Sequence, residues 1–227
     1  MNQQAIVGLE EGLKINSIFY TIQGEGPWMG QPAVFIRVAG CVLRCHWCDT
    51  DYEHGEVMSV EAVIHEVAKY PQCGRVVITG GEPLRCGGVG LLIQRLVEGF
   101  WMVQIETSGA VLHPRISASV LDVATVVCSP KTSKINKGLI PYVDAFKYVV
   151  EAGKVVWDRD GLPSEGPNEG GAVYRPLSLN GLPEIWVGPC WDADSDLYKA
   201  NLTCAINVCK HFGYRLNVQL HKYIQVP

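Results

Sequence analysis

The stretch GCVLRCHWCDT, Gly40 to Thr50, places Cys41, Cys45 and Cys48 at spacings of four and three residues. An odd number of thiols cannot pair completely, and three ligands are one short of a closed tetrahedral zinc site. A single cysteine is most often a small buried apolar side chain, but three so close together need a common explanation. They indicate a site that the protein leaves open at one position.

The composition indicates an ordinary globular protein. The chain has 227 residues, 48% of them hydrophobic, which is enough to bury a core without disulfides. A formal net charge of -4 argues against nucleic acid as a partner. Neither a membrane-spanning apolar run nor a signal-peptide pattern at the N-terminus occurs, so we expect a cytoplasmic protein with no membrane partner. In a reducing compartment we expect its nine cysteines to be metal ligands or buried thiols rather than disulfides.

Apolar strands alternate with helical segments along the chain. The predicted strands are INSIFYT, AVFIRVAG, RVVITGGEP, WMVQIETSG, DVATVVCSPK, VDAFKYVVE, EIWVGP and, at the end, YRLNVQLHKYI. Helices are predicted over SVEAVIHEVAKY with Ser59 as its N-cap, over VGLLIQRLVEG up to Gly99, and over DSDLYKANLTCAINVCKHFG up to Gly213. Strands that are apolar on both faces predict an α/β fold with a mainly parallel sheet.

The segment from Trp157 to Leu182 interrupts this alternation. It includes DRDGLPSEGPNEGG, which is rich in Gly, Pro and acidic residues and is typical of a surface loop or a partly disordered insertion. No second core-forming pattern follows it. Residues 1–227 are therefore predicted to form a single domain, with an irregular loop insertion near 157–182.

Polar or glycine-rich segments directly follow four of the predicted strands. They are GCVLRCHWC, TGGEP, ETSG and SPK. Because functional sites of parallel α/β sheets form at the carboxyl ends of the strands, we expect these four loops to converge on one mouth.

Two metal centres are compatible with the three cysteines. A structural zinc ion needs a fourth ligand, and His46 and His54 are not at a standard finger spacing. A [4Fe-4S] cluster has four iron corners that thiolates normally hold, so three cysteines leave one iron open. An open iron can bind a small molecule, and the site would then be catalytic rather than only electron-transferring.

The C-x3-C-x2-C spacing, with Trp47 just before the third cysteine, resembles the radical S-adenosylmethionine superfamily. In that superfamily the open iron binds the amino and carboxylate groups of S-adenosylmethionine, and one electron from the cluster releases a 5′-deoxyadenosyl radical. The segment GGEP, Gly80 to Pro83, is similar to the superfamily motif that contacts the methionyl amine.

Further segments resemble the 7-carboxy-7-deazaguanine synthase family: FYTIQGEGPWMGQPAVFIRVAGC, WCDT, IETSG, SPK, FKYVV and QLHKYIQVP. The resemblance runs from about Ile15 to the last residue and omits the segment from Trp157 to Leu182. It implies a truncated, incomplete (β/α) barrel of the radical S-adenosylmethionine type, usually a homodimer. It also implies conversion of 6-carboxy-5,6,7,8-tetrahydropterin to 7-carboxy-7-deazaguanine with loss of ammonia, in queuosine and 7-deazapurine biosynthesis.

The same resemblance implies roles for individual residues. Cys41, Cys45 and Cys48 would hold the cluster, and Thr50 would ligate Mg²⁺. S-adenosylmethionine would contact Trp47, Cys48, Asp49, Gly80, Gly81, Glu82, Gly109, Ser129, Pro130 and Lys131. The pterin would contact Ile22, Gln23, Gly24, Glu25, Arg37, Thr107 and Pro227, the last through its carboxylate.

Ordinary structural roles compete with several of these assignments. Thr50 is also a plausible helix cap, although a hydroxyl with substrate oxygens suits the hard-ligand preference of Mg²⁺. Arg37 lies in an apolar strand and is a candidate for a structural ion pair. Glu25 lies in a glycine turn that needs no ligand, and Pro227 is also compatible with a frayed tail.

Two rival functions remain compatible with the cysteine motif. A glycyl-radical activase would act on a protein, but the QGEG and QLHKY segments argue against it. A non-catalytic iron–sulfur carrier or zinc-bound interaction module would make GGEP and SPK accidental turns. The resemblance implies a flavodoxin- or ferredoxin-type electron donor. The residues leave open the identity of that reductant, the dimer interface, the role of the 157–182 loop, and whether the product serves transfer RNA or a secondary metabolite.

Overall fold

The computed structural model describes residues 12–48, 50–168, 171–176 and 183–227. Its strands are β1 (Leu13–Ile22), β2 (Pro32–Val38), β3 (Glu56–Met58), β4 (Arg75–Gly80), β5 (Met102–Thr107), β6 (Thr125–Cys128), β7 (Val143–Val150), β8 (Glu184–Pro189) and β9 (Arg215–Leu216). The α-helices are α1 (Val60–Val67), α2 (Gly88–Glu98), α3 (Ala118–Asp122), α4 (Ser195–Phe212) and α5 (Leu220–Ile224). Short 3-10 turns occupy Gly26–Trp28, Pro83–Arg85 and Ile140–Tyr142.

The strands form one sheet in the order β3-β1-β2-β4-β5-β6-β7-β8-β9. From β2 to β9 every neighbouring pair is parallel, whereas β1 runs antiparallel to both β2 and β3. The sheet is open, with β3 at one edge and β9 at the other. The predicted mainly parallel, incomplete barrel is therefore confirmed.

The core lies between the sheet and the helices that follow its strands. The side chains of Val34, Ile36, Val76 and Ile78 on the central strands have no solvent exposure. Burying a side chain of this kind stabilises the fold by about 1.5–3 kcal/mol, so the central strands hold the sheet edge firmly. That edge is the platform for the loops described below.

The helix ends follow the predicted signals. The Ser59 hydroxyl accepts a hydrogen bond from the amide of Ala62 at 3.1 Å, which satisfies one free amide at the start of α1. Gly213 follows α4 with φ 75°, a left-handed conformation that glycine adopts without strain. In the described part of the chain, no helix combines the length and the apolar character needed to cross a bilayer.

The predicted final strand over YRLNVQLHKYI is wrong beyond Leu216. Only Arg215 and Leu216 pair with β8, and the chain then turns into the short helix α5. Alternating apolar residues in this segment mimic a strand, but α5 has no buried residue and lies beside the turn after β1 instead. Strand β3 and helix α3 were not predicted, because both are very short.

The described part of the insertion, residues 157–168 and 171–176, has no regular helix or strand. It is nevertheless packed, since Leu162 and Val173 are buried and Arg175 forms an ion pair with Asp160 at 2.6 Å. Residues 169, 170 and 177–182 of the predicted loop lie outside the described residues.

Candidate active site

A cavity of about 290 Å³ opens at the carboxyl edge of the parallel strands. The register places the ends of β2 and β4 side by side through Val38 and Gly80, and those of β5 and β6 through Thr107 and Cys128. The loops after these four strands all contribute to the cavity, as the sequence predicts.

Most residues predicted to have a role line this cavity. They are Ile22, Gln23, Gly24, Glu25, Arg37, Cys41, Cys45, Trp47, Cys48, Thr50, Gly80, Gly81, Thr107, Ser129, Lys131 and Pro227. Glu82, Gly109 and Pro130 do not line it, and Asp49 lies outside the described residues.

The three cysteines of the loop after β2 are free thiols that share the cavity. The amide of Leu43 donates to Cys41 Sγ at 3.4 Å, and the Cys48 amide donates to the Cys45 carbonyl at 3.1 Å, so backbone hydrogen bonds shape the loop. Burial raises the pKa of Cys41 and of Cys45, although the charge of Lys131 opposes the effect at Cys45. Thiolates here therefore need a strong positive charge, which iron would supply.

The chemistry of the donor set, three thiols that line one cavity, fits an iron–sulfur cluster. Across the described residues, no three His, Cys, Asp or Glu side chains converge on one possible metal position. Three thiols around a common cavity suit the larger cubane cluster with one open iron.

Two glycines bring the loop after β4 against the cysteine loop. A side chain on Gly80 would overlap the Val38 carbonyl, and one on Gly81 would overlap the Gly40 carbonyl. Gly80 also has φ 114°, which strongly favours glycine. The GG pair of GGEP is thus required for the close approach of the two loops.

The Glu82 carboxylate is turned into the protein rather than into the cavity. It has no solvent exposure and accepts hydrogen bonds from the Leu84 amide at 3.1 Å, Thr107 Oγ1 at 2.6 Å and the Ser108 amide at 2.9 Å, as well as from the Ser108 hydroxyl. Burial raises the pKa of Glu82, while these hydrogen bonds oppose the rise. Glu82 thus joins the GGEP loop to the ETSG loop and holds both in place.

This arrangement also limits what Thr107 can offer a ligand. Its hydroxyl donates to Glu82 and accepts from the Gly109 amide at 2.9 Å, and the residue is only 4% exposed. A hydroxyl has one donor and two lone pairs, so one lone pair is left for the cavity. Gly109 stands behind this contact and does not line the cavity.

A buried ion-pair network forms one wall of the cavity. Lys147 Nζ pairs with the Glu25 carboxylate and lies 3.1 Å from Glu106 Oε2. Gln23 Nε2 donates to Glu106 Oε1 at 2.9 Å, which links the turn after β1 to β5. Burial alone would lower the pKa of Lys147, but Glu106 and Glu25 outweigh it and raise that pKa.

Glu25 stays ionised for the same reason. Burial acts to raise the pKa of its carboxyl, but Lys147, His221 and a hydrogen bond from Gln219 together hold that pKa below its usual range. The cavity thus presents a charged acceptor in a largely enclosed place.

Lys131 places a second cation near the cysteines. Its Nζ donates to Ser129 Oγ at 2.9 Å and lies 4.3 Å from the centre of the Trp47 ring. Burial and the charge of Lys147 lower the pKa of Lys131 to about 8. Arg37 lies 5.0 Å above the Phe19 ring, and among the described residues no carboxylate forms an ion pair with it.

The C-terminal segment closes the cavity near the turn after β1. The Leu220 amide donates to the Gly24 carbonyl at 3.0 Å, and Thr21 Oγ1 donates to a Pro227 oxygen at 2.9 Å. A side chain on Gly24 would overlap the His221 ring, so glycine is needed for this contact. Pro227 is thereby held at the cavity.

Several lining residues were missed by the sequence analysis. They are Glu106, Lys147, Trp191, Gln219, His221 and Lys222. All but Trp191 lie in or beside the IETSG, FKYVV and QLHKY segments, so the family resemblance was a usable signal for them. For Trp191 we find no such signal.

The chain is similar to known proteins along nearly its whole length. The profile of the Radical SAM superfamily matches residues 35–132, which include the three cysteines and GGEP. Together with the open parallel sheet, this defines the class: a radical S-adenosylmethionine enzyme.

Relatives define the family within that class. The chain is 41% identical over 229 residues to the 7-carboxy-7-deazaguanine synthase of Rhodospirillum rubrum, covering 95% of this chain and 93% of the relative. It is 33% identical to the 7-carboxy-7-deazaguanine synthase of Rickettsia prowazekii, covering 94% of this chain and 88% of the relative. The chain belongs to the 7-carboxy-7-deazaguanine synthase family.

A solved structure supports the fold independently. The crystal structure of QueE from Escherichia coli aligns with a TM-score of 0.72 at 24% identity, covering 97% of this chain and 99% of that one.

Proposed function

We propose that the protein converts 6-carboxy-5,6,7,8-tetrahydropterin to 7-carboxy-7-deazaguanine and ammonia. One observation carries the proposal: a single cavity collects the cysteine loop, the buried Glu25–Lys147–Glu106 network and the C-terminal segment. A pterin presents N–H donors on its ring and a carboxylate at one end, and the cavity has groups of complementary charge for both.

In this proposal, the iron–sulfur cluster and S-adenosylmethionine bind at the cysteine loop. Cys41, Cys45 and Cys48 would hold a [4Fe-4S] cluster, which with S-adenosylmethionine supplies a 5′-deoxyadenosyl radical that abstracts hydrogen. The backbone of the GGEP, ETSG and SPK loops would position the S-adenosylmethionine. We assign Glu82 a positioning role here, because its carboxylate is already used by the loops it joins.

The protein's own groups orient the substrate. Glu25 accepts hydrogen bonds from the ring N–H groups of the pterin, and Lys147 keeps Glu25 charged for that purpose. Arg37, which lines the same cavity, pairs with the substrate carboxylate. The C-terminal segment excludes water while the ring contracts and the bridging amine leaves as ammonia.

Mg²⁺ and the partners belong to this proposal as well. Thr50 lines the cavity, and its hydroxyl with substrate carboxylate oxygens would give Mg²⁺ the hard oxygen ligands it prefers. We also propose a single-domain chain that acts in the cytoplasm as a homodimer and receives electrons from a flavodoxin- or ferredoxin-type donor.

The test is an anaerobic turnover experiment. The protein with a reconstituted cluster is given dithionite, S-adenosylmethionine, Mg²⁺ and 6-carboxytetrahydropterin, and the products are analysed by mass spectrometry. We expect 7-carboxy-7-deazaguanine from the wild type and none from Cys45→Ala. Formation of 5′-deoxyadenosine without that product would refute the substrate, and the absence of both from a cluster-loaded protein would refute the radical chemistry.

A further inference from the structure

The described part of the insertion, residues 157–168 and 171–176, is attached to the cysteine loop. The Arg44 amide donates to Asn168 Oδ1 at 2.9 Å. The His46 amide donates to the Pro167 carbonyl at 3.2 Å, and His46 Nδ1 lies 3.1 Å from the same oxygen. Both anchored residues stand between cysteines of the motif. The insertion therefore fixes the backbone that carries the three thiols.

The same part of the insertion is attached to the SPK segment after β6. The Tyr174 amide donates to the Thr132 carbonyl at 2.7 Å, and the Tyr148 hydroxyl on β7 donates to the Tyr174 carbonyl at 2.7 Å. Gly166 lies so close that a side chain there would come within 2.5 Å of the Lys131 carbonyl. The insertion thus bridges two loops that are about 85 residues apart along the chain.

Contacts within the described part of the insertion hold that part together. Arg175 binds Asp160 at 2.6 Å, the Pro163 carbonyl at 2.9 Å and the Val173 carbonyl at 3.0 Å, which ties its two halves together. Leu162 and Val173 anchor it in the main core. A loop closed by its own side chains in this way keeps its shape without regular secondary structure.

The residues that the insertion supports are those expected to bind the cofactor. Trp47 and Lys131 line the large cavity on one side. On the other side they line a cavity of about 40 Å³ whose far wall is made by the insertion from Pro163 to Pro167. The insertion therefore backs the cofactor side of the active site.

We propose that the insertion is a brace for the cofactor site: it holds the cysteine loop and the SPK segment in fixed relation, so that the cluster and S-adenosylmethionine bind a preformed site. This rests on the proposed function only for the identity of the two cofactors. Pre-ordering a binding loop lowers the entropy lost on binding, so the brace strengthens retention of the cluster and affinity for S-adenosylmethionine.

Two glycines of the insertion provide a matched pair of variants. In Gly166→Ala the new methyl group meets the Lys131 carbonyl and pushes the insertion away from the SPK segment. In Gly171→Ala the new methyl group meets nothing within 4 Å. In cluster-loaded protein, we expect Gly166→Ala to lose its cluster to a chelator about tenfold faster than wild type and to bind S-adenosylmethionine about tenfold more weakly, as expected for overpacking. Gly171→Ala should match wild type.

A second pair of variants tests the brace even if Gly166→Ala does not fold. Asn168→Ala removes the acceptor for the Arg44 amide at a partly exposed position, and Asn168→Asp keeps an acceptor oxygen. We expect about threefold faster cluster loss from Asn168→Ala, from one lost hydrogen bond, and rescue in Asn168→Asp.

Equal cluster loss and equal S-adenosylmethionine affinity in Asn168→Ala and wild type would overturn the brace, as would equal values for Gly166→Ala and Gly171→Ala. Neither readout depends on the pterin. The brace and the proposed reaction therefore fail or stand separately.

Discussion

Replacing Lys147 by methionine tests the electrostatic wall of the cavity. The Lys147 side chain is 8% exposed, and its partners Glu25 and Glu106 are 16% and 18% exposed. Removing the cation leaves two carboxylates near each other in a poorly solvated place. Breaking a buried ion pair in this way costs about 3–5 kcal/mol, and the partial exposure of the carboxylates favours the lower end, about 3 kcal/mol.

The cost should depend on pH with a definite sign. In the wild type the folded pKa of Glu25 lies below its unfolded value, so its contribution is complete above the unfolded value and is lost as pH falls through the folded one. In Lys147→Met we expect burial and Glu106 to raise the folded pKa of Glu25 instead. The free energy of unfolding of the variant should then fall furthest below that of the wild type at neutral pH. The gap should narrow at lower pH, because the carboxyl groups take up protons.

Urea unfolding of the apoprotein at pH 7.5 and pH 5 measures both effects. The matched control is Lys154→Met, because Lys154 pairs with Glu151 at 2.7 Å but is 55% exposed, and its loss should cost less than about 1 kcal/mol. A Lys147→Met variant as stable as this control, or one whose deficit does not shrink at pH 5, would refute the reasoning.

Three further substitutions test the loops around the cavity. Glu82→Ala removes the acceptor shared by two loops and should lower stability by about 2–3 kcal/mol in thermal unfolding; an unchanged melting temperature would contradict it. Gly24→Ala should displace His221 and raise KM for the pterin about tenfold, and an unchanged KM would count against that contact. Thr21→Val removes the hydrogen-bond donor to Pro227 and should weaken pterin binding by about 1 kcal/mol, measured by calorimetry. A tag added after Pro227 should also weaken pterin binding, whereas a tag at the N-terminus should not. Equal pterin affinity in all these forms would remove Pro227 from the site.

Local patterns in the sequence predicted the sheet and the edge of the sheet at which the cavity opens. Four of the apolar runs are followed by a polar or glycine-rich segment, and the parallel register brings those ends to one edge. The helix ends were predictable too, because Ser59 and Gly213 cap their helices through contacts with residues only a few positions away in the sequence. Such features depend on neighbours in sequence and need no knowledge of the tertiary structure.

Contacts between distant residues were not predictable from patterns. A lysine in an apolar strand, such as Lys147, needs a partner, but the sequence does not show that Glu25, which is 122 residues away along the chain, lies beside it in the fold. The Arg44–Asn168 contact spans 124 residues and joins the cysteine motif to a segment whose composition indicates only a surface loop. The prediction of the last strand was wrong for a related reason. Alternation of apolar and polar residues alone cannot show that α5 leaves the sheet.

The most direct test of a shared cavity for radical source and pterin uses substrate deuterated at the carbon that bears the carboxylate. After anaerobic turnover, S-adenosylmethionine and 5′-deoxyadenosine are recovered and their deuterium content is measured by mass spectrometry. Deuterium in these adenosyl compounds is the predicted result, because the proposed binding mode puts that carbon beside the cysteine loop. Product formation with deuterium released only to solvent would contradict it.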